Sequence, residues 1–545
     1  MYRNNKSIYN CRRPSNQNIY LEKKIRSEKK MKSITKNKIF LIYILIALIL
    51  AIGNINYTQH SNNTNSLEVK TENKTVVHRE LKISGDNDYI KVWDTGTTFA
   101  SSIYSVCTGD QDSDGKKEII VCHANEFAVF EYNSTYANYT LVWKSEDISS
   151  SMNTICTGDQ DGDGKREIIG GGNDATLYIY EYNGTDYEQV LDEYMYAPNW
   201  IYGICIGNDV DKDGNKEIIF TGSINVYVYE YNGTDNGCKR TWEFDFGYPN
   251  YAYSACGSND LDGDGKKEII SDGSDRIHVF ESTANNTYTD VWNSSSTIGA
   301  DTMSICIGED LDGDGKKEII AGSEDGKLYI FEFNGTDNGY NKTWDSGTNI
   351  GGSIRSVCIG DDLDGDGKKE IIAGSEDGKL YIFEFNGTDN GFNKVWDSDT
   401  NIGDIVTSVC IGDDADSNGK KEIIAGSEDD KVYVFEFNGI DNGFDKVWDS
   451  NTIIGGNVRS VCFGDDLDGN GKKEIIAGSE DGKVYIFEYD DTVPPQVIYI
   501  EDDDDDDDDE DENGIFIPNT TLIIGGIISA IAIVVVIILL IKRKR

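Results

Sequence analysis

An aspartate-rich nonapeptide, Asp-x-Asp-x-Asp-Gly-x-x-Glu, recurs eight times along this chain of 545 residues. Its acidic positions are Asp110, Asp112, Asp114 and Glu118; Asp159, Asp161, Asp163 and Glu167; Asp209, Asp211, Asp213 and Glu217; Asp260, Asp262, Asp264 and Glu268; Asp310, Asp312, Asp314 and Glu318; and Asp362, Asp364, Asp366 and Glu370. The last two copies carry asparagine at the third place: Asp414, Asp416, Asn418 and Glu422, then Asp466, Asp468, Asn470 and Glu474. Alternate side chains converge on one cation when the backbone curls around it. Glycine at the sixth place permits the sharp turn, and the carbonyl at the seventh can add an oxygen. An all-oxygen, carboxylate-rich set selects Ca²⁺ over zinc or copper, and an amide oxygen still ligates. About eight Ca²⁺ per chain are therefore expected, each with a Kd of roughly 10⁻⁴–10⁻³ M. Eight acidic turns without metal are the plain alternative, against which recurrence at a fixed register argues. The loops bring thirty carboxylates together; without a cation these repel one another, so chelation should lower the melting temperature. No catalytic residue and no organic cofactor are expected. The 4 His (His60, His78, His123 and His278) leave little for imidazole catalysis or zinc.

The loops recur at steps of 49 to 52 residues, the size of a propeller blade. The unit at 353–398 predicts four strands: Ser353 to Gly360, Glu370 to Gly374, Lys379 to Phe385 and Phe392 to Ser398. Asp377-Gly378 supplies a tight turn between the second and third. Along the third, Leu380, Ile382 and Glu384 face one way, and Tyr381, Phe383 and Phe385 the other. Both sets are mostly apolar, as in a strand between two neighbouring sheets. A Trp-bearing strand precedes the first loop at Trp93 and recurs at Trp143, Trp242, Trp292, Trp344, Trp396 and Trp448, with Leu191 in the matching slot of the second unit. None follows the eighth loop. The strand around Trp93 is therefore expected to complete the last blade and close the ring. The predicted fold class is all-β, an eight-bladed β-propeller of four-stranded blades with Ca-binding loops, plus a C-terminal transmembrane helix. A linear solenoid and a seven-bladed ring are the competing architectures.

The organisation around this array follows from composition. Residues 1–53 read as a basic N-terminus with a signal peptide or signal anchor, and Met31 is a candidate start for a signal of ordinary length. Residues 54–87 are a linker, 88–490 the propeller, and 491–521 a Pro/acidic spacer whose residues 501–512 are all Asp or Glu. Residues 522–541 are free of charge, long enough for a transmembrane helix. The basic tail 542–545 should stay cytoplasmic by the positive-inside rule, which puts the propeller outside the cell. Thirteen Asn-x-Ser/Thr sites lie between the two apolar segments, as in a glycoprotein, although Asn-Gly-Thr is also ordinary turn chemistry. A net charge of −47 argues against nucleic acid as a partner.

The motif Asp310-Leu-Asp312-Gly-Asp314-Gly-Lys-Lys-Glu318 resembles the FG-GAP (VCBS-type) repeats of integrin α-chain propellers and of many prokaryotic surface proteins, over roughly residues 88–490. The family usually ends the motif in Asp; here Glu does so each time. The resemblance implies Ca²⁺ loops between the first two strands of each blade and ligand binding on the opposite face. Eight-bladed glycan lyases carry similar loops ending in Glu, with long insertions that these uniform units lack.

Cys107, Cys156, Cys205, Cys256, Cys306, Cys358, Cys410 and Cys462 hold one repeat position. They read as small buried residues of the first strand, too far apart to bridge. Two divergent connections are rich in aromatics: Tyr194, Tyr196, Trp200 and Tyr202, and Phe246, Tyr248, Tyr251 and Tyr253. They are candidates for a platform that meets a glycan or a protein; the alternative is that they pack on one another. The expected function is a membrane-anchored, extracellular calcium-binding propeller for cell adhesion or ligand recognition. The rivals are a surface polysaccharide-acting enzyme of the lyase type and a structural cell-envelope protein.

Overall fold

The computed structural model describes residues 89–490, apart from 98, 149, 195–199, 208, 234–237, 248, 249, 259, 309, 349, 389 and 441. The signal segment, linker, acidic spacer, charge-free segment 522–541 and basic tail lie outside the described residues. Among the described residues, no helix is long and apolar enough to cross a membrane; the helical structure there is a 3₁₀ turn at Ser295–Thr297.

Eight antiparallel four-stranded sheets make up the described chain. In blade six the strands run Ile354–Gly360, Glu370–Ser375, Leu380–Phe385 and Phe392–Asp397, within two residues of the expected bounds. The first strand of each blade packs beside the first strands of its two neighbours all round the ring. This rules out an open solenoid and fixes the number of blades at eight. The last blade is composite. Tyr89–Asp94 pairs with Val484–Tyr489, placing Tyr89 opposite Tyr489 and Trp93 opposite Ile486. The N-terminal strand thus closes the ring as the outer strand of blade eight.

Alternation along the third strand builds the core between blades. In blade six, Tyr381 and Phe383 join a cluster with Ile330 and Ile354, while Leu380 and Ile382 join one with Val406 and Phe435 of blade seven. Burial of both faces explains the near-continuous apolar reading of these strands. The outer-strand tryptophan reaches across each seam. Trp396 stacks edge-on against Phe435 at 5.5 Å, and Trp93 of the closing strand meets Phe130 and Tyr139 of blade one at 5.3 and 5.4 Å. Gly322 lies where a Cβ would come within 2.6 Å of Ile354 of the next blade, so the blades approach closely there.

All eight repeat-position cysteines are unpaired thiols, and each inner-strand residue is half-buried. Burial pushes the Cys107, Cys205 and Cys358 thiols up to about 12, consistent with a packing role. Cys122 is buried on the second strand of blade one and Cys238 half-buried on the outer strand of blade three, both also unpaired.

Candidate metal centre

Each Asp-rich loop joins the first strand of a blade to the second. In blade five the Asp310 carboxylate accepts from the Gly313 and Gly315 N–H groups at 2.7 and 3.0 Å. Asp312 accepts from the Asp314 N–H at 3.1 Å, and Asp314 from the Lys316 N–H at 2.9 Å. Gly315 has φ +94°, a conformation open to glycine at little cost. The corresponding glycine is left-handed in all eight loops, from Gly115 to Gly471. The chain therefore curls around its own carboxylates. In loops one and four an oxygen from each of the four acids lies within 4.8 Å of the others. Asp159, Asp161 and Asp163 form such a set in loop two, and Asp209, Asp211 and Glu217 in loop three. The Asp213 carboxylate accepts from the Asn285 side chain of blade four at 2.7 Å. The remaining loops keep the same curl: Asp364, Asp416 and Asp468 accept from Asp366, Asn418 and Asn470 two residues on.

The closing glutamate starts the second strand and is buried. One oxygen of Glu318 accepts the Leu311 N–H at 3.0 Å, and Glu370 and Glu474 accept from Leu363 and Leu467 in the same way. The other oxygen of Glu118, Glu167, Glu268, Glu318 and Glu370 is buried without a hydrogen-bond partner, as is one oxygen of Asp110, Asp209 and Asp414. Burial pushes the Glu318 carboxyl up to about 8, opposed by the Leu311 N–H and reinforced by Asp312 and Asp310. Orphaned buried carboxylate oxygens ringed by further carboxylates suit a hard divalent cation, because a cation removes both the repulsion and the missing partner. The donor set fits Ca²⁺ on these grounds.

A carboxylate from outside the loop also reaches this site. Glu332, on the third strand of blade five, lies directly opposite Glu318. The same cross-strand pair occurs as Glu167 with Glu181, Glu217 with Glu230, Glu268 with Glu281, Glu370 with Glu384, Glu422 with Glu436 and Glu474 with Glu488. Glu131 takes the third-strand position in blade one. Like charges directly opposite are destabilising unless something lies between them. Lys316 reaches both Asp314 and Glu332. The sequence places Glu384 on the third strand with no evident role; the recurrence of a glutamate there in every blade is the signal for it.

The aromatic platform is partly assembled. Trp200 and Tyr202 approach to 6.4 Å, Tyr202 and Tyr253 to 5.1 Å, and Tyr251 and Tyr253 to 6.4 Å, so the two connections meet across the seam of blades three and four. Tyr202 and Tyr253 pack on each other, whereas Trp200 and Tyr194 are 48% and 57% exposed. Tyr196 and Tyr248 lie outside the described residues. Beneath Tyr253, buried Asp272 accepts from the Tyr253 and Ser254 N–H groups at 2.9 Å; desolvation raises its carboxyl well above the ordinary range. Nearby, Phe244, Phe246, Asn250, Arg276 and His278 line a cavity of about 160 Å³. There His278 Nδ1 lies 3.0 Å from an Asp290 carboxylate oxygen. Arg276 and His278 are two residues apart in the chain; the fold sets them against Phe244, Phe246 and Asn250 of the preceding strand and connection.

An FG-GAP-like repeat profile matches residues 209–271, from the third Asp-rich loop into the second strand of blade four. The same loop, strand order and closing glutamate recur in all eight blades. The match and the eight-bladed fold fit an FG-GAP repeat propeller. No curated protein matches it. Solved propellers similar to this one include Sqt1 of Saccharomyces cerevisiae, 12% identical with a TM-score of 0.55, covering 73% of this chain and 97% of that one. Chaetomium thermophilum Sqt1 bound to the N-terminus of the ribosomal protein L10 is 14% identical, with a TM-score of 0.53, covering 74% of this chain and all of that one. At such identity the likeness is one of fold alone. The two ends of the blades differ in character. Antiparallel order puts the Asp-rich loops and the turns between third and fourth strands at one end, and the aromatic connections at the other.

Proposed function

We propose that this FG-GAP propeller is a calcium-loaded recognition module, held outside the cell by residues 522–541 and acting in adhesion or ligand capture. The observation that carries the calcium reading is the set of buried, unpartnered carboxylate oxygens at the loops. The ligand reading is supported by Trp200, Tyr202, Tyr251 and Tyr253 at the end of the ring remote from those loops. Rigid aromatic surfaces of this kind bind sugar rings or protein side chains well. Most Asn-x-Ser/Thr sites within the blades, such as Asn183, Asn334 and Asn386, sit on turns at the cation-loop end, so glycans there would leave the aromatic end open. Asn438 makes the same turn with Ile440 in place of threonine, its side chain accepting from the Ile440 N–H at 3.0 Å; turn chemistry alone therefore suffices for that sequence.

The test is a glycan-array and cell-surface protein screen in millimolar Ca²⁺, with Trp200→Ala and Tyr251→Ala alongside. Binding should disappear in both variants while the melting temperature holds; unchanged binding rejects the platform. A second reading, a polysaccharide-acting enzyme, is favoured by Arg276 and His278 in one cavity. A β-elimination assay on acidic polysaccharides with His278→Ala as control tests it: turnover that this variant abolishes would establish the enzyme, and no turnover would leave recognition.

A further inference from the structure

The third-strand glutamate is a buried carboxylate that the loop motif does not use. Glu332 is 2% exposed. One of its oxygens meets Lys316; the other is buried with no well-aligned hydrogen bond. Burial raises the carboxyl, and the Asn390 amide of the next blade lies close enough to oppose that. The equivalent oxygen is likewise orphaned in Glu181, Glu230, Glu281 and Glu384. In blades two, four, five and six the orphaned oxygens come in pairs, one from the closing glutamate and one from the glutamate directly opposite. In blade two, oxygens of Asp161, Glu167 and Glu181 lie within 4.8 Å of one another. That set takes a single aspartate from the loop.

The direction in which these groups point matters as much as their number. They share the sheet face of Ile372 and Ile382, which packs on the next blade. Glu217 accepts from the Tyr288 hydroxyl of blade four at 3.1 Å, and Glu422 from the Tyr89 hydroxyl of the closing strand at 3.3 Å. The middle loop aspartate is held from across the seam as well. Asp211, Asp262, Asp312 and Asp364 accept from the N–H groups of Asn286, Asn338, Asn390 and Asn442, each in the next blade, at 2.5 to 3.1 Å. Opposite Glu318 and Glu370 the next blade presents Phe392 and Phe444, and opposite Glu268 it presents Tyr340, whose own hydroxyl is unpartnered; all three closing glutamates keep an orphaned oxygen.

We propose that the cations of this propeller are seam ligands: the third-strand glutamate of each blade joins the closing glutamate in holding the ion, which thereby fastens that blade to the next. The proposal rests on the reading that the loops bind Ca²⁺. Lys316 then serves as the counter-charge that competes with the ion for Glu332.

The experiment uses the full-length chain, with Glu332→Gln and Glu384→Gln combined, and Lys316→Met and Lys368→Met combined as the contrast. Ca²⁺ binding is followed by equilibrium dialysis, and hydrogen exchange is read on the outer strands Phe392–Asp397 and Phe444–Asp449. The glutamine pair should weaken two sites on the order of 10–100-fold and remove Ca²⁺-dependent protection from those two strands. The methionine pair should bind Ca²⁺ at least as tightly as the parent. Should the glutamine pair fail to fold, Glu332→Asp with Glu384→Asp keeps the charge and shortens the reach, and the same loss is expected. Unchanged affinity and protection in a folded glutamine or aspartate variant overturns the seam role and leaves the loop sites standing. So does an equal loss of melting temperature in the glutamine and methionine pairs with and without Ca²⁺, the behaviour of a plain ion pair. A parent chain that binds no Ca²⁺ overturns both readings.

Discussion

The cation-free propeller should lose stability as pH rises, and calcium should reverse the sign. Burial raises six closing glutamates from 4.5 to about 8 (Glu118, Glu167, Glu318, Glu370, Glu422 and Glu474) and two, Glu217 and Glu268, to about 7. Between these limits the folded chain keeps protons that the unfolded chain has released. Stability is therefore fullest below pH 4.5 and drains away as pH climbs through the folded values. For one group moved from 4.5 to about 8, the loss by pH 7 is ~3 kcal/mol at 1.36 kcal/mol per unit. Loop opening and water entry relieve part of this. At ~1 kcal/mol for each of eight sites the ring still loses ~8 kcal/mol, on the scale of a whole domain's stability. Spread over ~400 residues at ~2 cal/mol/K each, that is ~10 °C in Tm. The window of pH 5 to 8 avoids aspartates such as Asp114, which its hydrogen bond to Lys116 holds below its ordinary value. The assay is thermal unfolding at pH 5, 6, 7 and 8, on protein stripped over a chelating resin and on the same protein in 5 mM Ca²⁺. Stripped protein should melt lower at each step upward. Loaded protein should melt higher, because protons compete with the ion for the carboxylates. Slopes of the same sign in both series refute the reasoning.

Three other outcomes are expected. Trp93→Ala and Trp396→Ala remove equivalent seam contacts and should each cost ~3 kcal/mol or more. Only the first should speed hydrogen exchange along Val484–Tyr489, because it loosens the closing strand; equal exchange in both variants contradicts the closure. The eight inner-strand thiols should resist a disulfide-exchange reagent at pH 8 until the chain unfolds, as burial disfavours the thiolate; rapid reaction of the native chain would show open thiols. Asp272→Ala leaves the N–H groups of Tyr253 and Ser254 without their acceptor and should cost ~1–3 kcal/mol, read as a lower melting temperature; no change would mean those groups find water instead.

The ring was legible because the motif repeats. A loop of fixed spacing set the register, the missing Trp strand after the eighth loop pointed to Trp93, and alternation along Lys379 to Phe385 told which residues met which neighbour. The closing glutamates and their aspartates lie on one loop, so their convergence follows from local spacing. The third-strand glutamate does not. Glu332 is fourteen residues from Glu318, and only the hairpin register sets them opposite. On a single strand it reads as the polar end of an apolar run. The contact of Tyr202 with Tyr253, and the placing of Phe246 against His278, depend on how one blade leans on the next. Asp272 replaces the glycine found at Gly322, a local departure whose meaning comes from the two backbone N–H groups beneath it.

The composite last blade makes the ring a check on its own completeness. Val484 N–H donates to the Thr95 hydroxyl oxygen across 389 residues of chain, so the first of the described strands waits for the last. Until then Tyr89–Asp94 is an unpaired edge whose Tyr89, only 3% exposed in the closed ring, lacks its cover, the kind of edge that pairs with the wrong chain. A product cut short anywhere in the eighth unit keeps seven sound sheets yet cannot hide that strand. Incomplete copies should therefore be the sticky ones, cleared by chaperones and proteases, while any chain that reaches Tyr489 seals itself.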